Sequence, residues 1–287
     1  MPRTAYVNGR YVPFRGARIH VEDRGFQFAD GVYEVILLVN GRQIDGARHF
    51  DRLERSLREL GIKLPVSRKA LGFIADETAR RNGVTDGIVY IQATRGTAPR
   101  DHAMPARARP TLVVTARSRR VPDPRRQQHG ISVATAPDLR WGRCDIKTVA
   151  LVANVLAKDH AQRQGAYEAW LVDKRGRISE GTSTNAWIVA RGGTLITHPA
   201  DAGILCGVTR LAVIDLARAA GFKIKERAFT LREAKAASEA FVTSATSFVL
   251  PVVRLDGRAV GRGVPGPTTR ALQAAYVEHV RRQAYPE

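Results

Sequence analysis

Lys147 lies in the stretch RCDIKTVALV, where a strand-like run gives way to a helical one. An amine in that place can condense with an aldehyde cofactor if a low-polarity or cationic surrounding keeps it partly deprotonated. On position alone, an ordinary surface lysine explains it better. A cation is nonetheless electrostatically misplaced at a helix N-terminus, where the dipole favours anions. Glu180, in RISEGTSTNAWIV, is a carboxylate that could keep a ring nitrogen protonated and so support an electron sink. It could equally end a strand, with Ser183, Thr184 and Asn185 satisfying turn backbone groups. The stretch GILCGVTRLAVIDL places Gly207, Val208 and Thr209 at a helix start. Free N–H groups there make a ready anion site, or the glycine simply leads a helix that Thr209 caps. A second hydroxyl cluster, Thr243, Ser244, Thr246 and Ser247, ends a strand. Either cluster could hold a phosphate.

These residues need elements to position them. Asn8-Gly9 between apolar residues in AYVNGRYVPF, and Asn40-Gly41 in VILLVNGRQI, are type I′ hairpin signals. Phe50, Leu53, Leu57 and Leu60 fall at helical spacing, with Gly61 as a C-cap. A second helix is expected from the cap Ser67 to Asn82, before Gly83. GIVYIQATRG and PTLVVTAR read as strands around the loop TAPRDHAMPARA. These elements predict strands with two helices on one side, an α+β arrangement. Pro122 and Pro124 amid charges mark a boundary at residues 118–128. Beyond it, GISVATAP is a strand and TVALVANVLAKDHAQRQG a helix, with Val149, Val152, Val155 and Leu156 on one side and Gly165 ending it. YEAWLVDKRGRISEG reads as a hairpin, NAWIVA as a strand and VTRLAVIDLARAAG as an amphipathic helix. EAFVTSATSFVLPVVRLDG is strand-rich, and TTRALQAAYVEHVRRQA is a final helix.

The 287 residues suit two compact domains with no need of disulfides. Cys144 and Cys206 lack the CxxC spacing of a redox or zinc site, so no metal is expected. No apolar run reaches the ~18 residues that span a bilayer, and the first residues lack a signal-peptide layout. A cytoplasmic protein is the expectation. The net charge of +19 raises the question of nucleic acid. All but eight of the 46 basic residues are arginine, spread along the chain singly or in pairs. A clustered basic face is what nucleic-acid binding requires, so a field that attracts anionic substrates is the better reading.

In this order, GVYEVILLVNG, HFDRLERSL, TRGTAPRDHAMP, CDIKTVALVANVLAK, EGTSTNAWIV and GILCGVTR resemble the class IV pyridoxal-phosphate transaminases. These fold-type-IV enzymes include branched-chain aminotransferases, D-amino acid aminotransferases and aminodeoxychorismate lyases. The resemblance runs from about Tyr6 to Leu255. It implies a two-domain α+β fold: a smaller N-terminal α/β domain at 1–118, a linker at 119–128, and a larger cofactor-binding domain at 129–287. The larger domain would have a β-barrel-like core flanked by helices. The implied cofactor is pyridoxal 5'-phosphate. Lys147 matches the lysine that holds it as an imine and shuttles the proton between substrate Cα and cofactor C4′. Glu180 matches the carboxylate paired with the pyridine nitrogen. Arg52 matches the arginine that binds the phosphate, Val208 and Thr209 its backbone and hydroxyl donors, and Thr246 a further one. Leu205 would pack against the ring, and Tyr33 would face the substrate.

In D-amino acid aminotransferases an Arg-x-His pair in the loop corresponding to TRGTAPRDHAMP helps capture the substrate α-carboxylate. Here it reads Arg100-Asp101-His102. A guanidinium suits a carboxylate because its fork donates two parallel hydrogen bonds. The resemblance places this loop at the neighbouring subunit's active site, which implies a homodimer. The expected reaction is transamination of a D-amino acid with a 2-oxo acid such as 2-oxoglutarate or pyruvate. The rivals are a branched-chain L-amino acid aminotransferase, an (R)-amine transaminase and an aminodeoxychorismate lyase. A basic nucleic-acid-binding protein on an enzyme-like scaffold is a rival of another class, against which intact Lys147, Glu180 and Arg52 speak.

Overall fold

The computed structural model describes residues 3–286. The chain divides into two compact units. The first contains β1 (Thr4–Val7), β2 (Arg10–Pro13), α1 (Arg24–Phe28), β3 (Gly31–Val39), β4 (Arg42–Gln43), α2 (Gly46–Glu59), α3 (Arg68–Arg81), β5 (Gly87–Thr94) and β6 (Thr111–Ser118). Its six strands form one antiparallel sheet in the order β2-β1-β6-β5-β3-β4. Both Asn-Gly pairs turn hairpins. Asn8 and Gly9 have φ of 46° and 93°, and Asn40 and Gly41 have φ of 51° and 72°. This is the left-handed backbone that a two-residue type I′ turn needs at both positions.

Alternation along the strands builds one buried face. Val32, Ile36 and Leu38 of β3 join Val89, Ile91 and Ala93 of β5 and Leu112, Val114 and Ala116 of β6. Phe50, Leu53 and Leu57 of α2 and Leu71, Ile74 and Ala75 of α3 pack onto that face, so both helices lie on one side. Ser67 caps α3, its hydroxyl accepting from Ala70 N at 3.2 Å.

Residues 146–150 also group with the first unit. Val32 and Thr148 form an antiparallel bridge, in which Tyr33 N donates to Lys147 O at 3.0 Å and Val149 N to Gly31 O at 3.1 Å. Lys147 was expected within the larger, later domain and just before a helix. Its segment instead groups with the first unit through that single bridge to β3, and the next helix begins only at Val152.

The second unit contains α4 (Pro124–His129), β7 (Ile131–Pro137), α5 (Val152–Arg163), β8 (Glu168–Val172), β9 (Arg177–Gly181), β10 (Asn185–Val189), β11 (Leu195–Thr197), α6 (Val208–Ala219), β12 (Ile224–Glu226), β13 (Phe229–Thr230), α7 (Leu231–Ala236), β14 (Glu239–Ser244), β15 (Phe248–Leu255), β16 (Arg258–Ala259) and α8 (Pro267–Ala284) as far as Arg281, the end of α8 grouping with the first unit. The expected linker thus runs into a short helix, α4, which Asp123 caps and Pro124 opens. The strands run β12-β11-β10-β14-β15-β7-β8-β9-β13, with β16 beside β15, in a curled half-barrel. β7 lies parallel to both β15 and β8, and α5 makes the crossover that parallel strands require. The fold is α+β.

The apolar residues of α5 do not face this core. Val152, Val155 and Leu156 are 75%, 63% and 62% exposed, while Ala157 and Ala161 pack against the strands. The larger apolar residues thus form the outer side, and small alanines let the helix lie close to the sheet.

Leu53 is 1% exposed and Phe73, on α3, 66%. Leu53→Ala should therefore lower stability by about 2–5 kcal/mol. Phe73→Ala should change it by less than about 0.5 kcal/mol. Urea unfolding of the two variants checks the contrast.

Candidate active site

Lys147 and Tyr33 share one face of the first sheet. The Lys147 ammonium lies 4.2 Å from the centre of the Tyr33 ring. Tyr33 in turn stacks on Tyr90, with centroids 5.6 Å apart and planes at 29°. Burial, with a smaller push from Tyr33, raises the Tyr90 hydroxyl to about 12, and that hydroxyl donates to Gln92 Oε1 at 2.8 Å. The half-buried Lys147 forms no ion pair among the described residues.

Behind this layer, on the face covered by α2, sits a buried carboxylate. Glu34 is fully buried and shares a face of β3 with Val32 and Ile36. Arg52 Nε and Nη2 donate to its two oxygens at 2.7 and 2.8 Å, and His49 Nδ1 lies 2.7 Å from Oε2. His49 and Arg52 stand three apart on α2, so both reach the same spot. Burial alone would raise the Glu34 carboxyl, but the charge and hydrogen bonds of Arg52, then of His49, hold it far below the ordinary range. Burial lowers His49 despite Glu34.

In the second unit Glu180 ends β9, buried, with three donors. Asn185 Nδ2 reaches Oε2 at 2.9 Å, Leu205 N reaches Oε1 at 3.1 Å, and Arg140 Nη1 also binds Oε1. Arg140 is itself gripped by Asp138, through Nε at 2.9 Å and Nη2 at 2.8 Å, and donates to Gly203 O at 3.1 Å. Burial would raise Asp138, yet Arg140 holds it below its usual value. Burial would lower Arg140, but Asp138 and then Glu180 raise it.

The start of α6 adjoins this group. Gly207 is its N-cap and no side chain caps it, so the first-turn N–H groups have no partner within the helix. A Cβ at Gly207 would lie 2.0 Å from Asn185 Oδ1. Glycine thus lets the helix start come up against the residue that bonds Glu180. Val208 and Thr209 are buried, and the Thr209 hydroxyl lies 3.4 Å from Tyr276 OH. Thr246 lies in the turn between β14 and β15, half-buried, and Leu205 is half-buried beside Glu180. Arg100 and His102 lie on an exposed loop of the first unit, where both pack against Phe28.

The amino-transferase class IV family profile matches residues 31–255. The chain belongs to the class IV aminotransferases. It is 42% identical over 269 residues to the D-alanine aminotransferase of Bacillus licheniformis, spanning 93% of this chain and 94% of that one. Identity to the D-alanine aminotransferase of Listeria innocua is 40% over 278 residues, 96% of each chain. Among solved structures, a branched-chain amino acid aminotransferase of T.th., with pyridoxamine 5'-phosphate, has a TM-score of 0.89 at 25% identity. That match covers 100% of this chain and 96% of that one.

In this aminotransferase, the structure thus brings Lys147 and Tyr33 together in the first unit, with Arg52 on the other side of the same strand. It brings Glu180, Leu205 and the α6 start together in the second. Sequence reasoning missed Glu34, His49, Asp138 and Arg140. One signal was available for Glu34: a carboxylate at the core parity of a strand demands a buried cation. Asp138 and Arg140 fall in a loop whose path no periodicity reveals.

The Glu34 carboxyl is depressed in the folded protein, so its contribution to stability is present above the unfolded value of about 4.3 and is lost as pH falls toward the folded one. His49, also depressed, acts in the same direction below about 6.5, because only the unfolded chain takes up its proton there. Urea midpoints should fall as pH drops below about 6.5, through His49, and fall further below about 4.3, through Glu34. Glu34→Gln should lower the midpoint at pH 7 and flatten the limb below about 4.3.

Proposed function

We infer that this aminotransferase moves the amino group of a D-amino acid to a 2-oxo acid, using pyridoxal 5'-phosphate. The observation that carries the reading is 42% identity to a D-alanine aminotransferase across 93% of the chain. The Arg100-Asp101-His102 loop adds a chemical reason to expect an α-carboxylate.

The residues present suit the cofactor. Lys147 offers an amine against an aromatic ring with no ion pair among the described residues. Glu180 offers a buried carboxylate held by Arg140. The uncapped α6 start offers N–H groups for an anion. When bound, the cofactor supplies an electron sink for the charge left at the substrate Cα. Lys147 would hold the cofactor through its amine, and that amine, when free, would take the substrate Cα proton as general base and give it up again as general acid. Glu180 keeps the pyridine nitrogen protonated. Arg52, Val208, Thr209 and Thr246 bind the phosphate, and Glu34 aligns the Arg52 fork. Leu205 packs on the ring. Tyr33 faces the substrate, whose carboxylate Arg100 and His102 receive.

The enzyme acts as a homodimer whose Arg100/His102 loop serves the neighbouring site. The exposed Val152, Val155 and Leu156 stripe on α5 supports association. The enzyme is placed in the cytoplasm, where Cys144 and Cys206, which form no disulfide, persist as thiols. Among the described residues no helix is long and apolar enough to cross a membrane.

Lys147→Ala should abolish turnover and the visible absorbance of the lysine-bound cofactor. A variant that kept both would refute the role of Lys147. D-Alanine, D-glutamate, L-leucine and (R)-1-phenylethylamine, offered in parallel to the yellow protein, should separate the donor classes. D-Alanine should bleach the band within seconds. Bleaching by L-leucine alone would instead make the enzyme a branched-chain aminotransferase.

A further inference from the structure

The loop that carries Arg100 and His102 is exposed and lacks regular secondary structure, yet it is fastened from below. Arg24, on α1, is only 4% exposed. Its Nη1 donates to the carbonyl of Asp101 at 2.7 Å and to that of Ala103 at 3.4 Å. Its Nε donates to Asp30 Oδ2 at 2.9 Å. Asp30 is held in turn by Arg95, through Nε at 2.7 Å and Nη2 at 3.0 Å, and Arg95 Nη2 donates to Leu60 O at 2.7 Å. Burial would raise the Asp30 carboxyl, but Arg95 and Arg24 hold it below its ordinary value.

One aromatic ring joins this clamp to the loop side chains. The Arg24 guanidinium lies 4.8 Å from the Phe28 centroid, and that of Arg100 lies 5.1 Å from it. The His102 ring stands 5.4 Å from the same centroid. Ala29, in the left-handed region at φ 56°, turns the chain so that Phe28 and Asp30 serve the clamp from either side of it. Asp101 is also accounted for. Its side chain accepts from Ala103 N at 3.1 Å and shapes the loop. Arg100 makes no ion pair among the described residues, so its fork stays available for an incoming carboxylate.

We propose that Arg24, clamped by Asp30 and flanked by Phe28, is a positioning residue that holds Arg100 and His102 as a preformed receptor for the substrate carboxylate. The inference rests on the reading of Arg100 and His102 given above. An unsupported exposed loop would spend binding energy on ordering backbone and two side chains each time a substrate arrived. A buried guanidinium bonded to two loop carbonyls removes that cost before binding. The α-carboxylate is common to the amino donor and the 2-oxo acid, so the support should act on both half-reactions alike.

The test is steady-state kinetics of the cofactor-loaded enzyme with D-alanine and 2-oxoglutarate. The variants are Arg24→Lys, Phe28→Leu, Phe28→Tyr and Arg100→Ala. Arg24→Lys keeps a charge for Asp30 but loses the fork that reaches the loop. Loss of a charge-assisted hydrogen bond should raise KM about ten-fold. The expected result is that rise for both substrates in Arg24→Lys and Phe28→Leu, with kcat within about two-fold and cofactor absorbance unchanged. Phe28→Tyr, which keeps the ring, should restore KM. If Arg24→Lys fails to fold, Phe28→Leu decides, since it disturbs no buried charge. Lower kcat and cofactor content with unchanged KM would assign Arg24 to stability alone and overturn the proposal. A KM rise in Arg100→Ala but in neither Arg24→Lys nor Phe28→Leu would overturn it while leaving the carboxylate reading intact. An unchanged KM in Arg100→Ala would remove that reading, and the inference with it.

Discussion

Two backbone hydrogen bonds, from Tyr33 N to Lys147 O and from Val149 N to Gly31 O, decide which way Lys147 faces. They bridge Thr148 to Val32, and Thr148 N also donates to Ile146 O at 2.8 Å in a tight turn about Lys147. Ile146 joins the core with Val32 and Ile36, while the Lys147 amine lies over the Tyr33 ring. The apolar side chain of Ile146 is therefore as much a part of the lysine's placement as the hydrogen bonds are. The same strand, one residue on from Tyr33, carries Glu34 through to the far face.

A common device recurs around the candidate site. Glu34, Asp30 and Glu180 are carboxylates removed from water, and each meets an arginine that a second group also fixes. Arg52 shares Glu34 with His49, Arg24 shares Asp30 with Arg95, and Arg140 shares Glu180 with the donors of Asn185 and Leu205. Buried ion pairs contribute little net stability, but breaking one leaves an uncompensated charge, at a cost of about 3–5 kcal/mol. Such clusters resist rearrangement. That rigidity suits chemistry in which small misplacements of reacting groups are expensive.

Much of this was legible in the chain, and the reasons differ by element. The Asn-Gly turns were readable because few residues tolerate left-handed backbone. The helices α2 and α3 were readable because their cores follow the helical period, with Ser67 as cap. The candidate residues Lys147, Glu180, Arg52 and Thr209 came from ordered motifs, not from any one local signal. The α5 stripe was legible as a side but not as an outer one, because Val152, Val155 and Leu156 show an apolar side without saying what it meets. The helix start was misjudged for a related reason: Thr148 to Leu151 have ordinary composition, and nothing in them announces the bridge of Thr148 to Val32 that keeps them out of the helix. Arg24, Asp138 and Arg140 were invisible, since an isolated arginine is as common on a surface as under one, and this chain is rich in arginine.

The assignment of residues 146–150 to the first unit has a consequence for inheritance. The chain leaves that unit after Arg120, returns for these five residues, and departs again until Arg282. Tyr33 and Lys147 thus lie in different contiguous stretches of one folded body. A single genetic crossover between two relatives anywhere from Val121 to Asp145 would unite one parent's Tyr33, Glu34 and Arg52 with the other parent's Lys147. Chimeras made that way would test their compatibility at β3, even where each parental block was spliced outside every helix and strand.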